Sequence, residues 1–236
     1  MHCPQCGTEN PGGARFCLNC GASLARACAR CDTELGEVAW RQGNHGLAER
    51  HLQAALALAQ QTGALDVKAL AWQWLGSAAF SRGHFDEALR FATESQLLYE
   101  QIGDRHGLAA TLNVMGNITG MLQPACEEAR AYYAQSLALA REIGDQRAEA
   151  VALVNIGHAD RQAGLYDTAR DHLEQAVGIF EEIGERSGGA MAAINLGEVC
   201  LEQGQDAAAW GHFREAIGES ADLGALPLVL YALTSL

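Results

Sequence analysis

Along most of the chain, apolar and polar positions alternate with the period of an α-helix, and glycine interrupts the pattern at regular intervals. After Gly144, the apolar residues Ala150, Val151, Leu153, Val154 and Ile156 recur at helical spacing. Gly164 breaks the run, and Tyr166, Ala169, Leu173, Ala176, Val177 and Phe180 resume it. The pattern predicts two amphipathic helices joined by a tight turn. Ile102-Gly103-Asp104 and Ile143-Gly144-Asp145 each supply a helix stop and a helix start within two residues. Glycine takes the left-handed C-terminal position, and the Asp carboxylate accepts from the free amides of the next helix. Asp86, Glu127 and Asp167 fall at the starts of the second helices, where the positive end of the helix dipole favours an acid.

This two-helix unit repeats. Gly63, Gly103, Gly144, Gly184 and Gly224 are separated by 40, 41, 40 and 40 residues. A second series, Gly36, Gly76, Gly116, Gly157 and Gly197, runs in phase with it, as does a third, Ala48, Ala88, Ala129, Ala169 and Ala209. Three phased series at one period define an internal repeat. The residues that carry it, Trp72…Leu75-Gly76…Ala88, Leu153…Ile156-Gly157…Ala169 and Leu196-Gly197…Ala209…Phe213…Ala216, resemble the tetratricopeptide repeat. The period of about 40 resembles the extended variety found in bacterial signalling ATPases and adenylate cyclases. The resemblance covers residues 32–224. It implies an all-α fold, a right-handed superhelical solenoid of helix pairs in which the first helix of each pair lines the concave side.

The repeats are not uniform. In the third, Gln123-Pro124-Ala125-Cys126 stands in place of the glycine turn and adds a residue, and the proline is expected to end its helix sharply. The first is expected to be clipped, because alignment on Gly36 puts Asp32 where the second repeat has Trp72. About five repeats therefore occupy residues 32–224. Residues 225–236 read as a single further helix, too apolar for a good cap. It either folds back on the fifth repeat or forms a contact between chains, giving a homo-oligomer.

The first 31 residues carry a different chemistry. They hold three Cys-x-x-Cys pairs, Cys3/Cys6, Cys17/Cys20 and Cys28/Cys31. A two-residue gap lets two thiolates on one turn reach the same ion, and the first two pairs complete a tetrahedral four-thiolate site suited to structural zinc. A segment this short cannot bury enough surface to fold alone, so metal binding would supply its folding energy. Residues 1–24, with CPQCGTENPGGARFCLNCG, resemble the zinc ribbons that often occur as tandem pairs. Residues 25–31 read as a linker holding the opening of a second, incomplete ribbon. Cys28 and Cys31 are then a vestigial knuckle or half of a zinc site shared between two chains.

Composition narrows the function. The 236 residues carry 29 Asp and Glu against 16 Lys and Arg, a net charge of −13, which argues against a nucleic-acid partner. No apolar run reaches the roughly 18–20 residues of a membrane span, and Met1-His2-Cys3-Pro4 does not open a signal peptide, so a cytoplasmic location is expected. No phosphate loop, zinc-protease helix or nucleophile elbow is present, and the chain is expected not to be an enzyme.

What remains is binding. The resemblance and the repeat register place Gln73, Ser77, Asn113, Asn117, His158, Arg161, Glu198 and Glu202 towards the groove, with Asn155 and Asn195 beside them. An amide side chain can donate to and accept from an extended peptide at once, so a file of asparagines suits a protein or peptide partner. The expected function is an adaptor or scaffold with a structural zinc ribbon. Two alternatives stand beside it. One is a nucleic-acid-associated regulator read by the ribbon, where Arg15, Arg26 and Arg30 face only Glu9. The other is an adaptor-like remnant of a multidomain adenylate cyclase or ATPase.

Overall fold

The computed structural model describes residue 9 and residues 24–222, without the side chains of residues 24–28, 220 and 222. The four candidate zinc ligands Cys3, Cys6, Cys17 and Cys20 and the C-terminal segment 225–236 lie outside the described residues. Among the described residues, ten α-helices follow one another: α1 (Leu24–Arg41), α2 (His45–Thr62), α3 (Leu65–Ser81), α4 (Phe85–Ile102) and α5 (Arg105–Leu122). They continue as α6 (Glu127–Ile143), α7 (Gln146–Gln162), α8 (Tyr166–Ile183), α9 (Arg186–Glu202) and α10 (Asp206–Asp222). Odd-numbered helices are the first, and even-numbered helices the second, of each pair.

The turns follow the capping chemistry expected of them. Gly144 closes α6 with φ of 71°, and the Asp145 carboxylate then accepts from the Ala148 amide at 2.9 Å to open α7. The Asp104 carboxylate does the same for Gly107 at 3.0 Å. The third repeat differs as its sequence suggests. α5 stops at Leu122, two residues before Pro124, and Ala125 takes a φ of 59°, the left-handed conformation that glycine supplies elsewhere. Cys126 then caps α6, its sulfur accepting from the Ala129 amide.

The chain divides into two compact units, Met1–Val114 and Met115–Leu236. In the first, α1 packs on α2 and α3 on α4, and the first helices α1 and α3 also touch. Its core joins Leu52, Ala55, Leu56, Ala71 and Leu75, with Trp72, Trp74 and Phe91 against them. In the second, α7 packs on α8 and α9 on α10, and α7 touches α9. Leu153, Ile156, Leu173, Phe180 and Val199 share one core there, with the small residues Ala152, Ala169 and Ala176 at its close approaches. Alanine fills more than half of the buried apolar positions among the described residues, so the helices approach closely and large side chains are few.

The first repeat departs from its expectation. Residues 25–31 are not a linker but the first two turns of α1, so the first helix of that repeat has its full length and is not clipped. Leu24-Ala25-Arg26-Ala27 is made of good helix formers, and Ala29, Thr33 and Gly36 lie buried along one face of the helix. Cys28 and Cys31 are therefore three residues apart on a helix rather than on a knuckle turn. Cys31 is exposed.

Candidate functional site

In the first unit, the candidates lie on the middle turns of α3 and α5. Gln73, Ser77 and Asn113 are each half-buried. The Tyr99 hydroxyl donates to Gln73 Oε1 at 3.0 Å, which leaves the amide nitrogen as the outward group. Burial first, and then the carboxylates of Asp104 and Asp66, hold the Tyr99 hydroxyl in its protonated, donating form by raising its pKa. The Ser77 hydroxyl donates back to the Gln73 carbonyl at 3.2 Å, so it is turned onto its own helix. Between the first helices α1 and α3, the indoles of Trp40 and Trp74 meet at 5.1 Å, and Trp40 Nε1 donates to Ser81 Oγ at 3.1 Å.

The second unit repeats the tyrosine–amide device and then builds a denser polar row. The Tyr133 hydroxyl donates to Asn117 Oδ1 at 2.9 Å, and burial raises its pKa likewise. Five of the expected residues, His158 and Arg161 on α7 with Asn195, Glu198 and Glu202 on α9, come together across two neighbouring first helices. His158 Nδ1 faces Asn195 Oδ1 at 3.2 Å, and the Gln162 amide reaches His158 Nε2 at 2.9 Å. This pair of contacts suits a neutral imidazole that donates from Nδ1 and accepts at Nε2. Burial, followed by the Arg161 charge, lowers the pKa of His158 and favours that neutral form, against smaller opposing effects of Asn195, Glu198 and Glu202.

Arg161 is clamped between two carboxylates. Its Nη2 lies 2.9 Å from Glu198 Oε2, and its Nη1 pairs with Glu202 Oε1. The Tyr166 hydroxyl donates to Glu202 as well, and that bond leads the causes raising its pKa. The positive charge expected to be offered in the groove is thus neutralised by the next repeat, and the row as a whole is net negative. Asn195 is 4% exposed, with Nδ2 donating to the Met191 carbonyl at 2.9 Å. It orients His158 rather than presenting an amide outward. Asn155 is half-buried beside it.

Sequence reasoning overlooked Gln162, Tyr166 and the two buried tyrosines Tyr99 and Tyr133. Gln162 stands five residues after its repeat glycine, as the expected Glu202 does, a register that could have found it. Nothing in the sequence around Tyr99 and Tyr133 signals their amide partners, which lie 26 and 16 residues away.

Known proteins place the chain in a class. The sequence matches the tetratricopeptide repeat family over residues 125–182 and 148–218, and the double zinc ribbon family over residues 3–41. Residues 125–218 are tetratricopeptide repeats, preceded in the same chain by a double zinc ribbon sequence, and the fold is all-α. The ribbon match runs through Cys28 and Cys31 into α1, where the backbone is helical. No curated protein matches the sequence.

Among solved structures, a Rap protein complexed with Competence and Sporulation Factor is similar with a TM-score of 0.77 at 17% identity, over 89% of this chain and 57% of that one. Aspartyl phosphate phosphatase F from Bacillus subtilis gives 0.74 at 14% identity, over 89% and 56%. A putative kinesin light chain from Podospora anserina gives 0.64 at 15%, over 84% and 97%. The chain thus spans little more than half the length of the first two. At these identities the likeness concerns the fold.

Proposed function

We propose that this chain is a non-enzymatic interaction module, an adaptor or scaffold that holds a segment of a partner protein along its first helices, with the ribbon as a structural zinc element. The observation that carries the reading is the row His158–Arg161–Glu198–Glu202, which two successive first helices assemble with each member already hydrogen-bonded or ion-paired. A polar surface ordered in advance loses little side-chain entropy when a ligand arrives. The outward amide nitrogens of Gln73, in one unit, and Asn117, in the other, are suited to peptide carbonyls. The Rap protein's complex with Competence and Sporulation Factor lends the same fold a precedent for holding a second molecule.

The zinc would be held by Cys3, Cys6, Cys17 and Cys20, a closed four-thiolate set that builds structure and leaves no position for substrate. Among the described residues there is no cluster of metal-ligating side chains. No described helix is long and apolar enough to cross a membrane, and a cytoplasmic site of action accords with the reduced thiols such a ribbon needs.

The test is affinity capture from the source lysate with the full chain, a Glu202→Ala/Gln162→Ala variant and a chain lacking residues 1–23, each with and without nuclease. A protein retained after nuclease, lost with the double variant and kept without the ribbon supports the groove. A partner lost on nuclease treatment, or on removal of the ribbon, overturns it in favour of the nucleic-acid reading that Arg15, Arg26 and Arg30 suggest.

A further inference from the structure

A cavity of about 430 Å³ that shares no lining residue with this row is bounded by α8, α10 and α9 from Arg186 to Leu196. Its floor is apolar, formed by Val177, Phe180, Ala190, Ala193, Leu196 and Ala216, and its rim carries four glutamates. Two of these are engaged: Glu185 pairs with Arg147 at 2.8 Å, and Glu219 pairs with Arg186. The other two, Glu181 and Glu215, are exposed and have no hydrogen-bond or ion-pair partner among the described residues.

The repeat register shows how the cavity arises. One repeat earlier, the equivalent positions hold Arg141 and Glu149, whose side chains meet at 2.7 Å and bridge the second helix of one pair to the first helix of the next. Here those positions are Glu181 and Gly189. The cation has become a carboxylate, and its partner has been deleted to a hydrogen. Packing does not demand the deletion. A Cβ on Gly189 would touch only Phe180 Cβ at 3.8 Å, an ordinary contact, whereas one on the adjacent Gly188 would strike the Phe180 ring at 2.3 Å. Gly188 makes room for the core, and Gly189 leaves room for something else.

We infer that this cavity is a docking site, distinct from the first-helix groove, for a partner protein segment that carries an arginine or lysine beside a leucine-sized apolar side chain. The apolar side chain rests on the Ala190–Ala193–Ala216 floor, and the cation takes the place that Arg141 holds one repeat earlier, now facing Glu181 and Glu215. Complementary charge sets the occupant's sign, because among the described residues the lining holds four glutamates against one arginine, Arg186, which is already paired. The volume suits one or two side chains rather than a whole helix.

The test is fluorescence anisotropy of the full chain with a labelled peptide, Gly-Arg-Leu-Leu-Arg-Gly, and with versions carrying glutamine or glutamate for arginine. The arginine peptide should bind at least tenfold more tightly than the glutamate peptide, with the advantage shrinking as salt rises. Gly189→Leu fills the cavity with a better helix former and should weaken binding at least tenfold without lowering the melting temperature. Rebuilding the earlier bridge with Glu181→Arg/Gly189→Glu should do the same. A Glu181→Gln/Glu215→Gln variant should lose the preference for arginine over glutamine, while Glu202→Ala, in the groove, should leave binding unchanged.

Equal binding by wild type and both cavity-closing variants, or no binding of any peptide, overturns the site. Tight binding only after deletion of residues 225–236 would make the chain's own tail the occupant and overturn the partner assignment. Displacement of the peptide by hexylamine at equal concentration would overturn it in favour of small amines.

Discussion

Arg130 Nη2 on α6 lies 2.7 Å from Oδ1 of Asp160 on α7, and the Asp160 side chain is wholly buried. His172 Nδ1 on α8 meets the other carboxylate oxygen at 3.0 Å. One carboxylate thereby ties together three consecutive helices in the second unit. The next repeat keeps the position of the cation but not the charge pair: Arg170 reaches towards Cys200, the residue equivalent to Asp160, and bonds Gln205 at 2.8 Å.

Removing one member of a buried pair strands the other. Arg130 is partly exposed and can turn to water, whereas Asp160 cannot, so the arginine's loss should be the more damaging. Arg130→Met is expected to cost about 2–4 kcal/mol and Asp160→Asn about half as much. Arg130→Met/Asp160→Leu should recover most of the loss, because the desolvation penalty then disappears with the charges. Urea titration of the full chain followed by circular dichroism measures all three.

His158 makes stability depend on pH. Its pKa in the folded protein lies below the ordinary value of about 6.5 because burial, and then Arg161, oppose its charge. The unfolded chain therefore binds the proton more readily. The contribution of this group is complete above about pH 6.5 and is lost as the pH falls through the folded pKa, with a slope of at most about 1.4 kcal/mol per pH unit. His158→Gln should flatten the difference in stability between pH 7.5 and 5.5. An unchanged slope in that variant would place the acid sensitivity elsewhere.

The five repeat glycines are not equivalent. A Cβ on Gly197 would lie 2.6 Å from the Phe213 ring, and one on Gly116 would lie 2.4 Å from the Tyr133 ring. At Gly76 the nearest atom is the Ala88 carbonyl oxygen at 3.4 Å. Gly116→Ala and Gly197→Ala should each destabilise by about 1–3 kcal/mol through overpacking. Gly76→Ala should fall within about 0.5 kcal/mol of wild type, since alanine's helix propensity offsets the tighter contact. Thermal melts of the three variants compare them directly.

For the ribbon, atomic-emission analysis of purified protein should give one zinc per chain. Cys17→Ser should abolish it while leaving the far-ultraviolet helical signal of residues 24–222 nearly unchanged, because these helices are held by apolar cores of their own. A ratio of one and a half zinc ions per chain would instead implicate Cys28 and Cys31 in a site shared between two copies.

Much of the fold was legible because it is written in local, repeated chemistry. Gly144 ends one helix and Asp145 starts the next through hydrogen bonds that span only a few residues, and the phase of Gly157 and Ala169 marks where two helices approach. The start of α1 was misread because Cys-x-x-Cys serves a knuckle and a helix face equally well. Ala29 and Thr33, buried along α1, decide between them.

The candidate row was legible only as positions. Register put His158, Arg161, Glu198 and Glu202 on one face, but it carried no information on which side chain would use which. Those partnerships join residues about 40 apart: Arg161 spends its charge on Glu198 and Glu202, and Asn195 turns inward to hold His158. The cavity beside Gly189 belongs to the same class, because a missing side chain becomes a space only when three helices surround it. Sequence by itself determined the helices, their caps and their period, since each rests on short-range hydrogen bonding and burial. Tertiary structure decided which charges are spent and where room is left, because both depend on distances between repeats.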